Sequence, residues 1–270
     1  MEKYKIGAVA RLLDLPIETL RYYEGRGIVT PQKDEENGYR YYDAWDLNYL
    51  LDSICYRSYD FSLNDITRMI NEDDQPSLVD RFFKREAELL HTIYIYRQKL
   101  DALVKLRQRI SQAPKKLGTF EICENPAMIY QRHRIKNEFI FDDDALKLTK
   151  KWLDLMPFVN HTFLIPNYSA TDLDAFSEYW WGFSQSPDEA IRNGIDISPP
   201  VEYIPTVKCI YTVFTAGGPN TFTNSLKHHV ISEVFKKGYK IVGPPVGHLI
   251  VRIHEDGAFT RYFEIWVPIE

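Results

Sequence analysis

Glu18-Thr19-Leu20-Arg21-Tyr22-Tyr23-Glu24 and Gly38-Tyr39-Arg40-Tyr41-Tyr42 are the two stretches that decide how this chain reads. Upstream of the first, Ile6, Val9, Ala10 and Leu13 recur at helical spacing and make one apolar face. Leu15-Pro16 breaks that helix, because the residue before a proline avoids the helical region. Ile17 and Leu20 open a second face after a tight turn, the arrangement of a helix-turn-helix. Gly25 and Gly27 close it. With Ile17 and Leu20 turned inward, Glu18, Thr19, Arg21 and Tyr22 point largely outward. In the second stretch, Asn37-Gly38 is a strong hairpin signal, since both residues tolerate positive φ. Tyr39-Arg40-Tyr41-Tyr42 then reads as a strand by propensity. Asp43 is placed to cap a helix over Ala44–Arg57, and Ser62-x-x-Asp65 resembles a capping box opening a helix through Ile70.

Beyond residue 75 the pattern changes. Residues 76–112 contain no glycine, and Pro76 suits a first helical turn. A heptad seam runs Phe82, Glu86, Leu89, Ile93, Tyr96, Leu100, Leu103, Arg107 and Ile110, of which seven are apolar or aromatic. That predicts a helix about 55 Å long, paired with a second copy in a two-stranded coiled coil. The competing reading is a long helix packed on its own domain. Residues 113–118, beginning near Pro114, read as a linker. Residues 119–270 carry strand-like runs at Ala127–His133, Thr162–Ile165, Glu178–Phe183, Val207–Phe214, Leu249–His254 and Arg261–Pro268. Helical patterns fall at Asp142–Leu155 and Thr221–Phe235. The order strand, helix, strand, strand occurs twice, so the expected class is α+β with antiparallel sheet.

Composition narrows the function. The chain has 270 residues, 44% hydrophobic and 26% charged, as a globular protein does. No apolar run is long enough for a membrane span, and the amino terminus lacks a signal-peptide pattern, so the expected location is cytoplasmic. Residues 1–75 hold 9 Lys/Arg against 15 Asp/Glu, residues 76–116 hold 10 against 4, and residues 117–270 hold 14 against 19. A basic middle therefore lies between acidic blocks. Cys55, Cys123 and Cys209 are odd in number and far apart, which excludes a disulfide framework.

The first constellation with chemistry is Thr19, Arg21, Tyr22, Tyr23 and Arg26 on the second helix, with Lys33, Tyr39 and Arg40 on the hairpin. A helix of this kind enters the major groove, where arginine pairs bidentately with guanine. Tyrosine hydroxyls donate to phosphate without adding charge, so a net acidic domain can still bind DNA. On composition alone, a small protein-interaction domain with incidental arginines is an equal reading. The second constellation lies on the last strand. Alternation puts Tyr262, Glu264 and Trp266 on one face and Phe263, Ile265 and Val267 on the other. A carboxylate between rings suits a lipophilic cation; a salt bridge to a neighbour such as Arg252 is the alternative. Tyr130, Tyr168, Trp180 and Tyr211 are further candidate pocket rings. No metal site or cofactor is expected: His228-His229 diverge on a helix, and the cysteines sit in apolar sequence.

Tyr4-Lys5-Ile6-Gly7, Arg21-Tyr22-Tyr23-Glu24 and Gly38-Tyr39-Arg40-Tyr41-Tyr42 resemble the amino-terminal domain of the MerR family of bacterial transcription regulators, over residues 1–112. The resemblance implies a winged helix-turn-helix (1–75), a dimerising coiled coil (76–112) and a homodimer on promoter DNA. In that family ligand binding twists an over-long promoter spacer so that RNA polymerase engages both elements. Metal-sensing members carry cysteines around the dimer helix; here those places hold Gln75-Pro76-Ser77 and Ser111-Gln112-Ala113-Pro114-Lys115. Glu264-Ile265-Trp266-Val267-Pro268-Ile269, with Gly238-Tyr239 and Gly243-Pro244-Pro245, resembles the GyrI-like effector domain (119–270) of BmrR-like multidrug sensors. That likeness implies two pseudo-symmetric halves around a ligand cleft, with Glu264 as its acid. A second acid expected on the preceding strand is missing: His248–His254 carries none before Glu255. The function implied is a ligand-responsive activator sensing lipophilic cations. A GyrI-like hydrolase and a drug-sequestering protein are the rivals, and no nucleophile–base pair speaks for the enzyme.

Overall fold

The computed structural model describes residues 2–218, 220–255 and 257–270; the side chain of Glu255 lies outside that description. The chain divides into two compact units, Met1–Tyr96 and Arg97–Glu270.

In the first unit, α1 (Ile6–Leu13) and α2 (Ile17–Gly25) form the helix-turn-helix. Asp14 adopts φ 51° and returns its N–H to the Ala10 carbonyl, which stops α1 before Pro16. Strands β1 (Tyr4–Lys5), β2 (Gln32–Lys33) and β3 (Arg40–Tyr42) make a small sheet in the order β1-β3-β2. Gly38, at φ 69°, closes the wing turn, and Asn37 accepts from the Tyr39 N–H. Asp43 caps α3 (Ala44–Ser58) in a full capping box, and Ser62 caps α4 (Leu63–Asn71). Val9, Leu20, Tyr23, Tyr42, Leu50, Ile66 and Met69 fill the core.

Helix α5 runs from Gln75 to Lys116, through Pro114 and past the expected end at 112. A proline inside a helix costs about 3 kcal/mol. Ala113, buried against Val213 and Ile250, supplies the packing that holds the last turn. Of the heptad positions, Phe82 packs edge-on against Tyr56, Tyr59 and Phe61 of its own unit. Ile93, Tyr96, Leu100 and Leu103 remain exposed.

The second unit is a nine-stranded antiparallel sheet. Its strands are β4 (Glu121–Glu124), β5 (Met128–Ile135), β6 (Glu138–Phe139), β7 (Asn160–Leu164), β8 (Trp180–Gln185), β9 (Val201–Ile204), β10 (Lys208–Ala216), β11 (Val246–Glu255) and β12 (Ala258–Pro268). Their order is β4-β10-β12-β11-β7-β8-β5-β6, with β9 also on β5. Between strands run α6 (Asp143–Leu153), α7 (Pro187–Arg192), α8 (Phe222–Leu226) and α9 (Ser232–Lys236), the last two joined by a π turn at Lys227–Ile231. Phe163, Trp181, Phe263, Ile265 and Val267 pack beneath the α8–α9 segment as the main core. The alternation read from the last strand therefore holds. Cys123 and Cys209 are paired in register across β4 and β10, and all three thiols are free. Cys55 is exposed rather than set in an apolar surround.

His133 is held between Phe139 and Phe183, with its Nδ1 buried and unpartnered among the described residues. Burial first, then the charge of Arg134, pushes its pKa down to about 4. The unfolded chain therefore takes up this proton at higher pH than the folded one, so stability falls as pH drops from about 6.5 to 4. The full shift corresponds to about 3 kcal/mol, and the ring's partial exposure reduces the expected loss to about 2 kcal/mol. Urea unfolding at pH 7 and pH 4.5 measures it; in His133→Phe the difference should shrink by that amount.

Candidate functional site

The first candidate surface is built by α2 and the wing. Leu20 and Tyr23 lie three apart and share the inward face, so Tyr23 is only 6% exposed and fills the core. It is not on the surface a duplex would meet, which corrects its inclusion among the contact residues. Arg21 and Tyr22 are exposed and Thr19 half-buried on the outward side. Arg26 donates to the Tyr22 hydroxyl at 2.8 Å and to Asn64 at 3.0 Å, and lies over the Tyr22 ring. That fixes the ring at the end of α2.

Glu24, in the quoted motif but not marked as functional, joins helix to wing. It pairs with Arg40 and, at 3.1 Å, with Lys33. Burial raises its carboxyl, but the bonds from Arg40 and Lys33 outweigh this and hold it below the usual range. Arg40 is thus partly neutralised and half-buried, while Lys33 and Tyr39 remain exposed. Lys5 lies over the Tyr39 ring at 5.6 Å. The result is a cationic and phenolic surface on a rigid helix–hairpin pair.

The second candidate centres on Glu264, 7% exposed on β12. In register it faces Val213 on β10 and His248 on β11. A buried carboxylate is costly unless paired, and this one has three donors. Arg109, from α5, donates through Nη2 to Oε1 at 2.6 Å. His248 Nδ1 lies 3.0 Å from the same oxygen, and because a carboxylate only accepts, that nitrogen carries the proton. Tyr211 donates its hydroxyl to Oε2 at 3.2 Å. Burial raises the Glu264 carboxyl, and His248 and Arg109 together bring it below its ordinary value. Behind them, Arg109 also reaches Asn160, and His248 Nε2 meets the Ser184–Thr162 hydroxyl pair.

Of the candidate rings, Tyr211 and Trp266 stand at this carboxylate, 5.5 Å apart and tilted. His248 meets Trp266 edge-on at 5.2 Å. The other three lie elsewhere. Trp180 is three strands away along the row Trp266–Val246–Leu164–Trp180, about 14 Å by strand spacing. Arg132 covers it at 4.1 Å. Tyr130 is fully buried, with its hydroxyl unpartnered among the described residues. Tyr168 is exposed in the loop after β7. The expected alternative partner, Arg252, does not reach Glu264, because an extra residue in β11 turns it to the other face. Arg109 and His248 were not among the residues read from sequence. Arg109 is 155 positions from Glu264, so no local spacing announces the pair.

His228 and His229 are both exposed. Among the described residues no group of three or more His, Cys, Asp or Glu is placed to hold a metal, and no helix is long and apolar enough to cross a membrane.

A family model described as MerR HTH family regulatory protein matches residues 4–73. The HTH-type transcriptional regulator ZntR homolog of Haemophilus influenzae is 30% identical over 113 residues, 39% of this chain and 82% of that protein. Transcriptional regulator BrlR of Pseudomonas aeruginosa is 28% identical over 130 residues, 47% of this chain and 46% of that one. Among solved structures, the cryo-EM structure of an EcmrR–DNA complex in EcmrR-RPo aligns over 99% of both chains at 17% identity and TM-score 0.37.

Proposed function

This chain belongs to the MerR HTH family of regulatory proteins, and from that premise we propose that it is a homodimeric transcription activator that reads a lipophilic cation and reshapes promoter DNA. Its relatives are named transcriptional regulators, so it is a DNA-binding regulator and not an enzyme. The hydrolase and sequestering readings are not favoured.

Arg21 and Tyr22 enter the major groove, and Lys33, Tyr39 and the Glu24-tethered Arg40 take phosphates at the flank. The exposed run Ile93, Tyr96, Leu100 and Leu103 is the seam on which a second copy packs, since an isolated helix with such a stripe gains stability only by covering it. The GyrI-like reading is supported by the strand order. Read outward from the β11–β7 pair, three strands follow on each side, β12-β10-β4 on one and β8-β5-β6 on the other. Distortion of the promoter spacer costs a few kcal/mol and is the quantity the ligand sets. RNA polymerase then engages both promoter elements.

The single observation that carries the ligand reading is the Arg109–Glu264 bond. Arg109 is the cation paired with this carboxylate, and it sits on α5, which begins in the DNA-binding unit and ends in the effector unit. A guest cation at Glu264 replaces the guanidinium and releases the end of that helix. The ligand shifts the equilibrium because it binds only the released state. Deoxyribonuclease footprinting on the promoter of the chain's own gene tests the reading. Two protected half-sites and a cation-dependent change in cleavage between them are expected; absence of half-sites would contradict it.

A further inference from the structure

On the opposite face of the sheet from Glu264 lies a cavity of about 220 Å³ lined by Arg134, Arg252, Arg261, Tyr179, Trp181 and Phe222. Among the described residues no carboxylate lines it, and none of the three arginines forms an ion pair. Arg252 and Arg261 face each other directly across β11 and β12, an arrangement of like charges that opposes pairing. Arg261 is aimed by two backbone carbonyls, those of Gly217 and Gly218, at 3.1 and 3.2 Å. Arg134 lies 5.2 Å from both the Trp181 and Phe139 rings, and its Nε is buried with no hydrogen-bond partner among the described residues. Burial and mutual repulsion lower the pKa of Arg134 and Arg261.

Two register breaks put these side chains where they are. β5 slips against β8 between Arg132 and Arg134, and β11 slips against β12 between Leu249 and Val251. Each inserts one residue and re-aims the side chains after it, as bulges beside sites do. Had the register run on unbroken from Leu249, Arg252 would stand opposite Thr260 and fall on the Glu264 face. The two interrupted strands thus gather three guanidiniums that form no ion pair among the described residues, two of them against rings.

We propose that this cavity is a second ligand site, for a small aromatic carboxylate: the planar carboxylate lies between Arg252 and Arg134, and the ring rests on Trp181 and Tyr179. Guanidinium matches carboxylate bidentately. The volume is below the roughly 300–1,000 Å³ of drug-sized pockets, so the guest is a one-ring compound. The site is independent of the Glu264 reading, since it uses another face and the opposite charge.

Isothermal titration of the full chain with benzoate tests the proposal, with benzamide as the neutral isostere and inorganic phosphate as an anion without a ring. Saturable benzoate binding with a dissociation constant of order 1 mM or tighter is expected, at least tenfold weaker for benzamide and for phosphate. Arg252→Gln should weaken benzoate at least tenfold, and Arg252→Lys less, because the charge stays and the planar fork goes. No saturation by about 10 mM benzoate in the folded wild-type protein overturns the site. Benzamide binding as well as benzoate overturns the charge argument, and phosphate binding as well as benzoate overturns the aromatic one. The wild-type comparisons stand even if a variant fails to fold.

Discussion

Arg109→Ala is expected to tighten binding of a lipophilic cation about tenfold, while Glu264→Gln loosens it by at least as much, a difference near 1.4 kcal/mol in each direction. The opposite signs come from one geometry. Arg109 and His248 occupy the same carboxylate oxygen, and Arg109 does so at 2.6 Å. In the proposed mechanism a guest cation competes with Arg109, so removing the arginine removes the competitor. Removing the charge on Glu264 removes the attraction for both. Arg109→Ala also leaves a buried carboxylate with fewer donors. Such losses reach about 3–5 kcal/mol for fully buried pairs. Because Arg109 is 30% exposed and His248 and Tyr211 stay in place, about 2 kcal/mol is expected here. Tryptophan fluorescence titration with tetraphenylphosphonium reads the affinity, since Trp266 borders the site, and urea unfolding reads the stability. Weakening by both substitutions would make the Arg109–Glu264 pair a structural bond only.

Arg21→Ala is expected to lower operator affinity by about 1–3 kcal/mol and to relax base preference, because a bidentate base contact carries that much discrimination. Arg40→Ala should behave differently. Its guanidinium is tied to Glu24 and holds the wing on α2, and in the proposed docking it meets the phosphate backbone. Its loss weakens all sequences alike and flattens the salt dependence by about one unit of slope. Glu24→Gln should produce a milder version of the same effect through the freed wing. Gel-shift titrations at two salt concentrations, with sedimentation to confirm intact dimers, separate these cases. Unchanged affinity in both arginine variants would refute the docking surface.

The helix-turn-helix, the wing turn and both caps were legible because each rests on local chemistry: Pro16, Gly38, Asp43 and Ser62 act within four residues of themselves. The face assignment on β12 was legible because a strand alternates strictly. What alternation could not supply was which rings meet across strands. Tyr211 and Trp266 are register partners on β10 and β12, whereas Trp180 shares their face but sits at the far side of β7. Tyr23 misled because it stands beside exposed Tyr22, yet a helix turns 100° per residue and buries it with Leu20. Arg252 misled because the inserted Ile250 inverts the parity of β11, and nothing in the local sequence marks that insertion.

Run-off transcription from the promoter of the chain's own gene, with and without tetraphenylphosphonium, decides whether a cation at Glu264 sets promoter output when wild type, Arg109→Ala and Glu264→Gln are compared. Wild type should give cation-dependent output, Arg109→Ala should shift toward the active level without cation, and Glu264→Gln should not respond. Equal response by wild type and Glu264→Gln would contradict it.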